Sequence, residues 1–455
     1  MGMTRAMRVL VVGGGGREHA LCWKLVRDRP GVELYAAPGN GGIGLLATLV
    51  PIKANDVPGI CAWAARARPD LVVVGPDDPL ALGLVDALAD AGIRAFGPRA
   101  AAARIESSKA WAAELLEAYE IPSPSAAVFA DPAQADRYVD QGAGQVVVKA
   151  DGLALGKGVF VCGSRAEAHV AIDRICRRRE FGPAGERLVI QDRLRGRELS
   201  VFALCDGLTY QVLGAARDYK RAFDDDRGPN TGGMGAYTPV ADATPALMAR
   251  IEREIIGPTL DALQAEGCPF TGFLYAGLML TAAGPQVLEF NGRLGDPEAQ
   301  AILPTLELNL VDAMLAALDG RLVRVAEPVA RSAAVAVVVA SDGYPGTYAS
   351  GHVIEGLERI VDGWDAGAAG GIPARPPVTA PDRRPHERLV FHAGTTRQDG
   401  TWRTAGGRVL SAVGLGPTVP QARERAYALA ATVTFPGARY RADIAMIQGR
   451  GEVAS

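Results

Sequence analysis

A multidomain α/β fold with a doubly wound parallel sheet at the N-terminus follows from three observations. The chain has 455 residues, apolar runs alternate with helical patterns over about the first 120, and a second rhythm of paired strands begins after Pro122-Ser123-Pro124. At that length one hydrophobic core stops growing, so units of roughly 100 to 150 residues with clefts between them are expected.

The N-terminal elements can be read in turn. Met7 to Val12 is a continuous apolar run that stops at Gly13-Gly14-Gly15-Gly16, and a helical pattern through His19, Leu21, Trp23 and Leu25 follows. That is strand, tight turn, helix. Further strands, Glu33 to Ala37 and Leu71 to Val74, end at Pro38-Gly39-Asn40 and Gly75-Pro76-Asp77. Strands that alternate with helices predict a parallel sheet covered on both faces.

Beyond residue 124, Val146-Val147-Val148-Lys149 leads into Asp151-Gly152-Leu153-Ala154-Leu155-Gly156-Lys157-Gly158-Val159. This pattern predicts two antiparallel strands joined by a glycine-rich loop. The small unit is expected to end near Leu188 to Ile190, followed by a larger mixed unit. Ala333 to Val339 opens a last arrangement that closes with a helix around Ala426 to Ala431. The expected domains are 1–123, 124–190, 191–327 and 328–455. Asp362 to His386, rich in glycine, proline and arginine, reads as an exposed loop.

Composition narrows the partners. The 48 lysines and arginines nearly balance 51 aspartates and glutamates, for a net charge of −3, which argues against nucleic acid and favours small ligands. Six cysteines without CxxC spacing read as reduced thiols. No apolar stretch approaches the roughly 20 residues of a membrane span. A cytoplasmic protein without membrane partners is expected, as a monomer or weak homodimer.

Four segments carry chemistry. The first glycine run does not fit a dinucleotide fingerprint, since Glu18 stands where a small residue is needed and Ala36-Ala37-Pro38 where a ribose-binding acid should end the second strand. Two readings of Gly14 and Gly15 stay open: a phosphate seat at a helix N-terminus, or a tight turn that permits close packing. In the second segment Lys149 and Lys157 flank a loop whose amides can close over a triphosphate, without P-loop order. A lid over ATP is one reading and a surface hairpin the other. Lys109 is a further candidate cation.

The third segment is Val287-Leu288-Glu289-Phe290-Asn291-Gly292-Arg293. Strand alternation places Glu289, Asn291 and Arg293 on one face and Leu288 and Phe290 on the other. Carboxylate and amide oxygens side by side suit magnesium, and an arginine beside them can hold a carboxylate or acyl phosphate. The fourth runs from Arg217-Asp218-Tyr219-Lys220-Arg221 through Asp224 to Asp226 and on to Asn230-Thr231-Gly232-Gly233. Its glycines let backbone amides approach an anion, while the acidic run reads as a solvated turn.

These segments resemble one family in order and spacing. GGGGREHAL at the start, KADGLALGKGV from Lys149, GPNTGGMGAY from Gly228, LEFNGRLGDPE from Leu288, FHAGT from Phe391 and GGRVL from Gly406 are similar to phosphoribosylamine–glycine ligases of the ATP-grasp superfamily. The resemblance implies an N-terminal doubly wound domain, an ATP-grasp lid, a central ATP-grasp domain and a mixed α/β C-terminal domain. It implies ATP-dependent ligation of glycine to 5-phosphoribosylamine. By the same resemblance Lys109 and Lys149 contact nucleotide phosphates beneath the loop of Gly152, Leu153, Gly156, Lys157 and Gly158. Gln191, Leu194 and Glu198 take the adenine and ribose positions, and Glu289 and Asn291 bind Mg2+ or Mn2+. Arg293 and Lys149 are the catalytic candidates. Asp218, Lys220, the Asn230 to Gly233 loop, Arg293, Gly14 and Gly15 face the substrates. Gln191, Arg197, Tyr219 and Gly292 depart from the family pattern, which bears on substrate identity more than reaction class. A related ligase with another amine or amino acid, and a non-catalytic nucleotide-binding protein, remain the alternatives.

Overall fold

The computed structural model describes residues 5–142, 144–154, 157–357 and 387–446. The expected loop from Asp362 to His386 therefore lies outside the described residues, as does Gly156.

The first sheet holds β1 (Arg8–Gly13), β2 (Glu33–Pro38), β3 (Thr48–Leu49), β4 (Leu71–Val74) and β5 (Ala95–Phe96), all parallel, in the order β3-β2-β1-β4-β5. Val9 to Val12 are fully buried because helices cover both faces of the sheet, which is why this strand reads as an unbroken apolar run. The second sheet is the expected small unit, with β6 (Ala126–Phe129), β7 (Val146–Ala150), β8 (Val159–Val161) and β9 (Leu188–Asp192) in the order β6-β9-β7-β8. β7 and β8 pair antiparallel around the glycine-rich loop, as their sequence predicts.

The third sheet is large. It is built from β10 (Arg197–Asp206), β11 (Tyr210–Asp218), β14 (Gly235–Thr238), β15 (Thr271–Thr281), β16 (Gly284–Asn291), β19 (Ala333–Ser341), β20 (Arg388–His392), β23 (Arg408–Gly416) and β24 (Ala438–Arg439). Between these lie three small hairpins: β12 (Arg221–Phe223) with β13 (Arg227–Asn230), β17 (Leu306–Glu307) with β18 (Val329–Ala330), and β21 (Thr395–Gln398) with β22 (Thr401–Thr404). β14 pairs with β19 over Gly235 to Thr238, so the strands that carry the central motifs and those of the C-terminal segment form one continuous sheet. The helix Val419–Ala430 packs on this sheet where a closing helix was expected.

One expectation about β16 is corrected. Phe290 pairs with Ala276 and Glu289 with Gly277, but Leu278 then pairs with Val287, so Leu288 is an extra residue in a β-bulge. Val287 and Phe290 both enter the apolar core, while Leu288 turns to the cleft beside Glu289. A bulge shifts the two-residue alternation by one, and so the predicted sharing of a face by Leu288 and Phe290 fails. Arg293 lies past the end of the strand, and alternation does not govern it.

Candidate active site

The three sheets enclose a cleft of about 1570 Å³. β7 and its loop form the roof, the ends of β11, β15 and β16 the floor, and the helices Ala100–Ser107 and Lys109–Ala118 one wall.

Lys149, on β7, is the centre of the roof. Its Nζ donates to the Leu288 carbonyl at 2.9 Å, the bulged residue of β16, so the bulge supplies an acceptor that a regular ladder would hide. Burial lowers the Lys149 ammonium to about 8, against the attraction of Glu289. Lys109 begins its helix and donates to the Gly152 carbonyl at 3.4 Å. Asp151 holds the base of the loop to this helix by accepting from Ser108 Oγ at 3.0 Å and the Ala110 amide at 3.1 Å. Leu153, Lys157 and Gly158 line the cleft, and Lys157 Nζ reaches the Pro345 carbonyl at 3.5 Å. Gly152 is packed instead against Ala184, which a Cβ would strike at 2.6 Å. Its part in the site is the carbonyl offered to Lys109.

Glu289 is half-buried where four cations converge. Burial pushes its carboxyl up, but Lys220, Lys109, Lys149 and Arg293 together hold it below the usual carboxylate range. Asn291 is buried beside it, with Oδ1 accepting from Arg293 Nη2 at 3.1 Å and Nδ2 without a partner among the described residues. Two oxygen donors at a strand end, inside a cationic cleft, fit a magnesium ion whose remaining ligands come from phosphates and water. Arg293 is anchored by Glu106 at 2.7 Å, and Glu106 also accepts the Gly292 amide at 2.8 Å. Burial works against the Arg293 charge, yet Glu106, Asp77 and Glu298 raise its pKa above the ordinary value.

Gln191, Leu194 and Glu198 line the far end of the cleft, Gln191 buried at the end of β9. Glu198 accepts from Lys220 Nζ at 2.8 Å, so the residue expected at the ribose and one expected at the substrates form a pair. Burial opposes the Lys220 charge, but Glu198 and Asp218 among others outweigh it and hold it well above its usual value. Asp218 is half-buried and pushed upward, by desolvation first and then by Glu298, Glu198 and Glu289 against the pull of Lys220.

Asn230, Thr231 and Gly232 line the cleft, and Thr231 closes the loop by donating from Oγ1 to the Lys220 carbonyl at 2.9 Å. Gly233 does not line it. At φ of +108° its Cβ would meet Pro297 at 2.4 Å, so this glycine serves a close approach and not a ligand. Arg408 ties the loop down by donating to the carbonyls of Gly232 at 2.5 Å and Asp296 at 2.6 Å.

The glycine turn is closely packed. The Gly15 amide donates to Glu18 Oε2 at 2.6 Å and the Arg17 amide to Asp296 Oδ2 at 3.3 Å, so carboxylates of the chain itself occupy the N-terminus of the helix Gly16–Asp28. Gly14 is pressed on Gly39, whose carbonyl a Cβ would meet at 2.5 Å. These two amides are engaged by carboxylates, an arrangement that favours the reading of a tight turn with close packing. Gly14 and Gly15 also edge a second cavity of about 890 Å³, which shares Asp296, Tyr344 and Arg408 with the main cleft.

Among the departures from the family pattern, Tyr219 accepts the Ala445 amide at 2.9 Å and lies under the Arg441 guanidinium. Gly292 acts through its amide, and Arg197 pairs with Asp242 at 3.0 Å. Sequence reasoning missed Glu106, Asp77 and Arg408, and passed over Asp296 and Glu298, although the last three stand within the quoted motifs. His19 and His392 are structural: the His392 amide donates to His19 Nδ1 at 2.8 Å, and burial lowers both rings.

Comparison with known proteins agrees with this geometry. Family profiles match for the phosphoribosylglycinamide synthetase N domain over residues 7–106, its ATP-grasp (A) domain over 107–299 and its C domain over 334–447. The chain belongs to the phosphoribosylamine–glycine ligase family. It is an ATP-grasp ligase. A phosphoribosylamine–glycine ligase of Ralstonia nicotianae is 43% identical over 439 residues, 96% of this chain and 98% of the relative. One from Rhodopirellula baltica is 44% identical over 446 residues, covering 96% of each. The crystal structure of the ligase from Thermotoga maritima superposes with a TM-score of 0.80 at 33% identity, over 96% of this chain and all (100%) of that one. The biotin carboxylase domain of Hydrogenobacter thermophilus 2-oxoglutarate carboxylase, in complex with MgADP and bicarbonate, shares the fold at a TM-score of 0.69 and 14% identity, over 96% of this chain and 92% of that one. No helix among the described residues is long and apolar enough to cross a membrane.

Proposed function

We propose that the cleft joins glycine to 5-phosphoribosylamine, with ATP converted to ADP and phosphate, as a cytoplasmic step of purine biosynthesis. A glycine carboxylate oxygen attacks the γ-phosphorus of ATP and ADP leaves. The amine of phosphoribosylamine then attacks the carbonyl of the glycyl phosphate, phosphate departs, and the amine gives up a proton. The observation that carries this reading is the meeting of Lys149 from the lid with Leu288 and Glu289 of β16, which brings lid cation and floor carboxylate together.

In this reading Lys149 and Lys109 neutralise charge on the transferred phosphoryl group and Arg293, held by Glu106, steadies the reacting carboxylate. Gln191, Leu194 and Glu198 hold adenosine, and the loop from Gly152 to Gly158 excludes water from the mixed anhydride. Glu289 and Asn291 would hold magnesium or manganese, which when bound screens the negative charge of the phosphates. Asp218, Lys220 and the Asn230 to Gly232 stretch face the substrates.

The test is ADP release with magnesium-ATP and phosphoribosylamine generated in place, with glycine present, absent or replaced by other amino acids, and products weighed by mass spectrometry. Glycine-dependent release with a glycinamide ribonucleotide product is expected. Release that required a different acid or amine would retain the ligase chemistry and overturn the substrates.

A further inference from the structure

The acidic turn Asp224 to Asp226 joins β12 to β13, the hairpin between Lys220 and the Asn230 to Gly232 stretch. Asp225 and Asp226 are exposed, as a solvated turn should be, yet the turn is also tied to the rest of the chain. The C-terminal segment runs across it, and Arg441, with only 1% of its side chain exposed, is the pin. Its guanidinium donates to Asp226 at 2.9 Å and to the Arg221 carbonyl at 3.0 Å on the hairpin, and to both Asp443 oxygens at 2.7 and 2.5 Å on its own segment. The same group lies 4.9 Å from the centre of the Tyr219 ring. Backbone contacts run in parallel: the Ala442 amide donates to Asp224 at 2.8 Å, and the Asp225 amide to Asp443 at 3.1 Å.

A planar fork with donors on several edges suits this place, because one side chain satisfies acceptors on two chain segments at once. A hairpin of two short strands is marginal alone. The segment folded over the hairpin's back, whose Arg439 also donates to the Ala222 carbonyl at 2.9 Å, therefore adds to the ties on the cleft side, where Lys220 pairs with Glu198 and Arg408 holds the Gly232 carbonyl. We infer that Arg441 is a positioning residue for catalysis, holding the substrate-facing stretch from Asp218 to Gly232 in register with the cleft while making no contact with substrate. The inference deepens the ligase reading and rests on it for the identity of the substrates.

The test uses the full chain with Arg441→Met, Arg441→Lys and Asp226→Asn. Hydrogen exchange over residues 218–233, without substrates, reads the positioning directly, and the KM values for glycine, phosphoribosylamine and ATP read its consequence. Arg441→Met should speed exchange in that stretch about tenfold or more while β1 and the lid strands keep their protection. It should raise the KM of glycine or phosphoribosylamine about tenfold with the ATP value within about twofold, since small misplacements at a site are costly. Arg441→Lys, which keeps the charge without the fork, should recover part of both effects. Asp226 has a side chain 72% exposed, so Asp226→Asn gives a smaller change of the same kind in a chain whose core is untouched. It decides the matter if Arg441→Met does not fold. Unchanged exchange over 218–233 overturns the inference, as does faster exchange with all three KM values unmoved or moved together. Should the wild type show no turnover with glycine and phosphoribosylamine, the ligase reading fails, and the exchange experiment alone decides whether Arg441 holds the stretch.

Discussion

Lys149→Met should stabilise the nucleotide-free protein while removing its activity. The ammonium is buried, and its pKa falls from 10.5 to about 8. That fall is a net penalty of about 3 kcal/mol on the charged form, with the attraction of Glu289 already counted in it. Against it stands the hydrogen bond to the Leu288 carbonyl, worth about 1 kcal/mol. The variant should therefore gain about 2 kcal/mol at pH 7. The pH dependence is the sharper test. Below about 8 the lysine is protonated in both native and unfolded chains, so the penalty is complete. Between about 8 and 10.5 the unfolded chain holds a proton that the native chain has lost, so wild-type stability climbs with pH and the variant's does not. Urea melts of both proteins at pH 7 and 9.5 should show the variant's advantage shrink by about 2 kcal/mol. Nucleotide affinity should fall about tenfold or more, the loss of one charge-assisted contact. A difference between the two proteins that stays constant from pH 7 to 9.5 would refute the argument from burial.

Two further outcomes follow from the same charges. Glu289→Gln should fold normally by circular dichroism yet lose about a hundredfold or more of its ADP-forming rate, with a higher metal concentration needed for half activity; full activity would overturn the metal assignment. Glu106→Gln keeps an acceptor for the Gly292 amide but leaves Arg293 buried with Asp77 and Glu298 as its remaining countercharges. A loss of about 2 to 4 kcal/mol in urea melts is expected, and wild-type stability would show that the pair is not holding the wall.

Much of the architecture was legible because its signals are local. β1 and the hairpin of β7 and β8 announce themselves through runs of valine ended by glycine, and the lid lysine stands one residue from the end of β7. The bulge at Leu288 was not legible. Nothing in LEFNGR marks which residue is extra, since a bulge is set by the pairing of β16 with β15 and not by its own pattern. Glu106 was hidden for a related reason: it reaches the Gly292 amide across 186 residues, and a lone glutamate near a helix end carries no trace of that partner. The glycine turn left two readings open because glycines before a helix look the same whether the amides await a phosphate or meet Glu18 and Asp296.

The pair formed by Glu198 and Lys220 links the two halves of the site. β10 and β11 run antiparallel with Ser200 opposite Ala216, which brings Glu198 beside the end of β11 and within 2.8 Å of Lys220. In the proposed reading Glu198 belongs to the nucleotide end and Lys220 to the loop that faces the substrates. A ribose hydroxyl that donates to Glu198 would share the carboxylate with the lysine and leave Lys220 freer to meet a second anion. Lys220 also faces Asp218 and Glu289, so its charge would remain balanced as that contact loosens. On that reading the ladder would give nucleotide and substrate a common residue pair, through which the occupation of one end would alter the charge presented at the other.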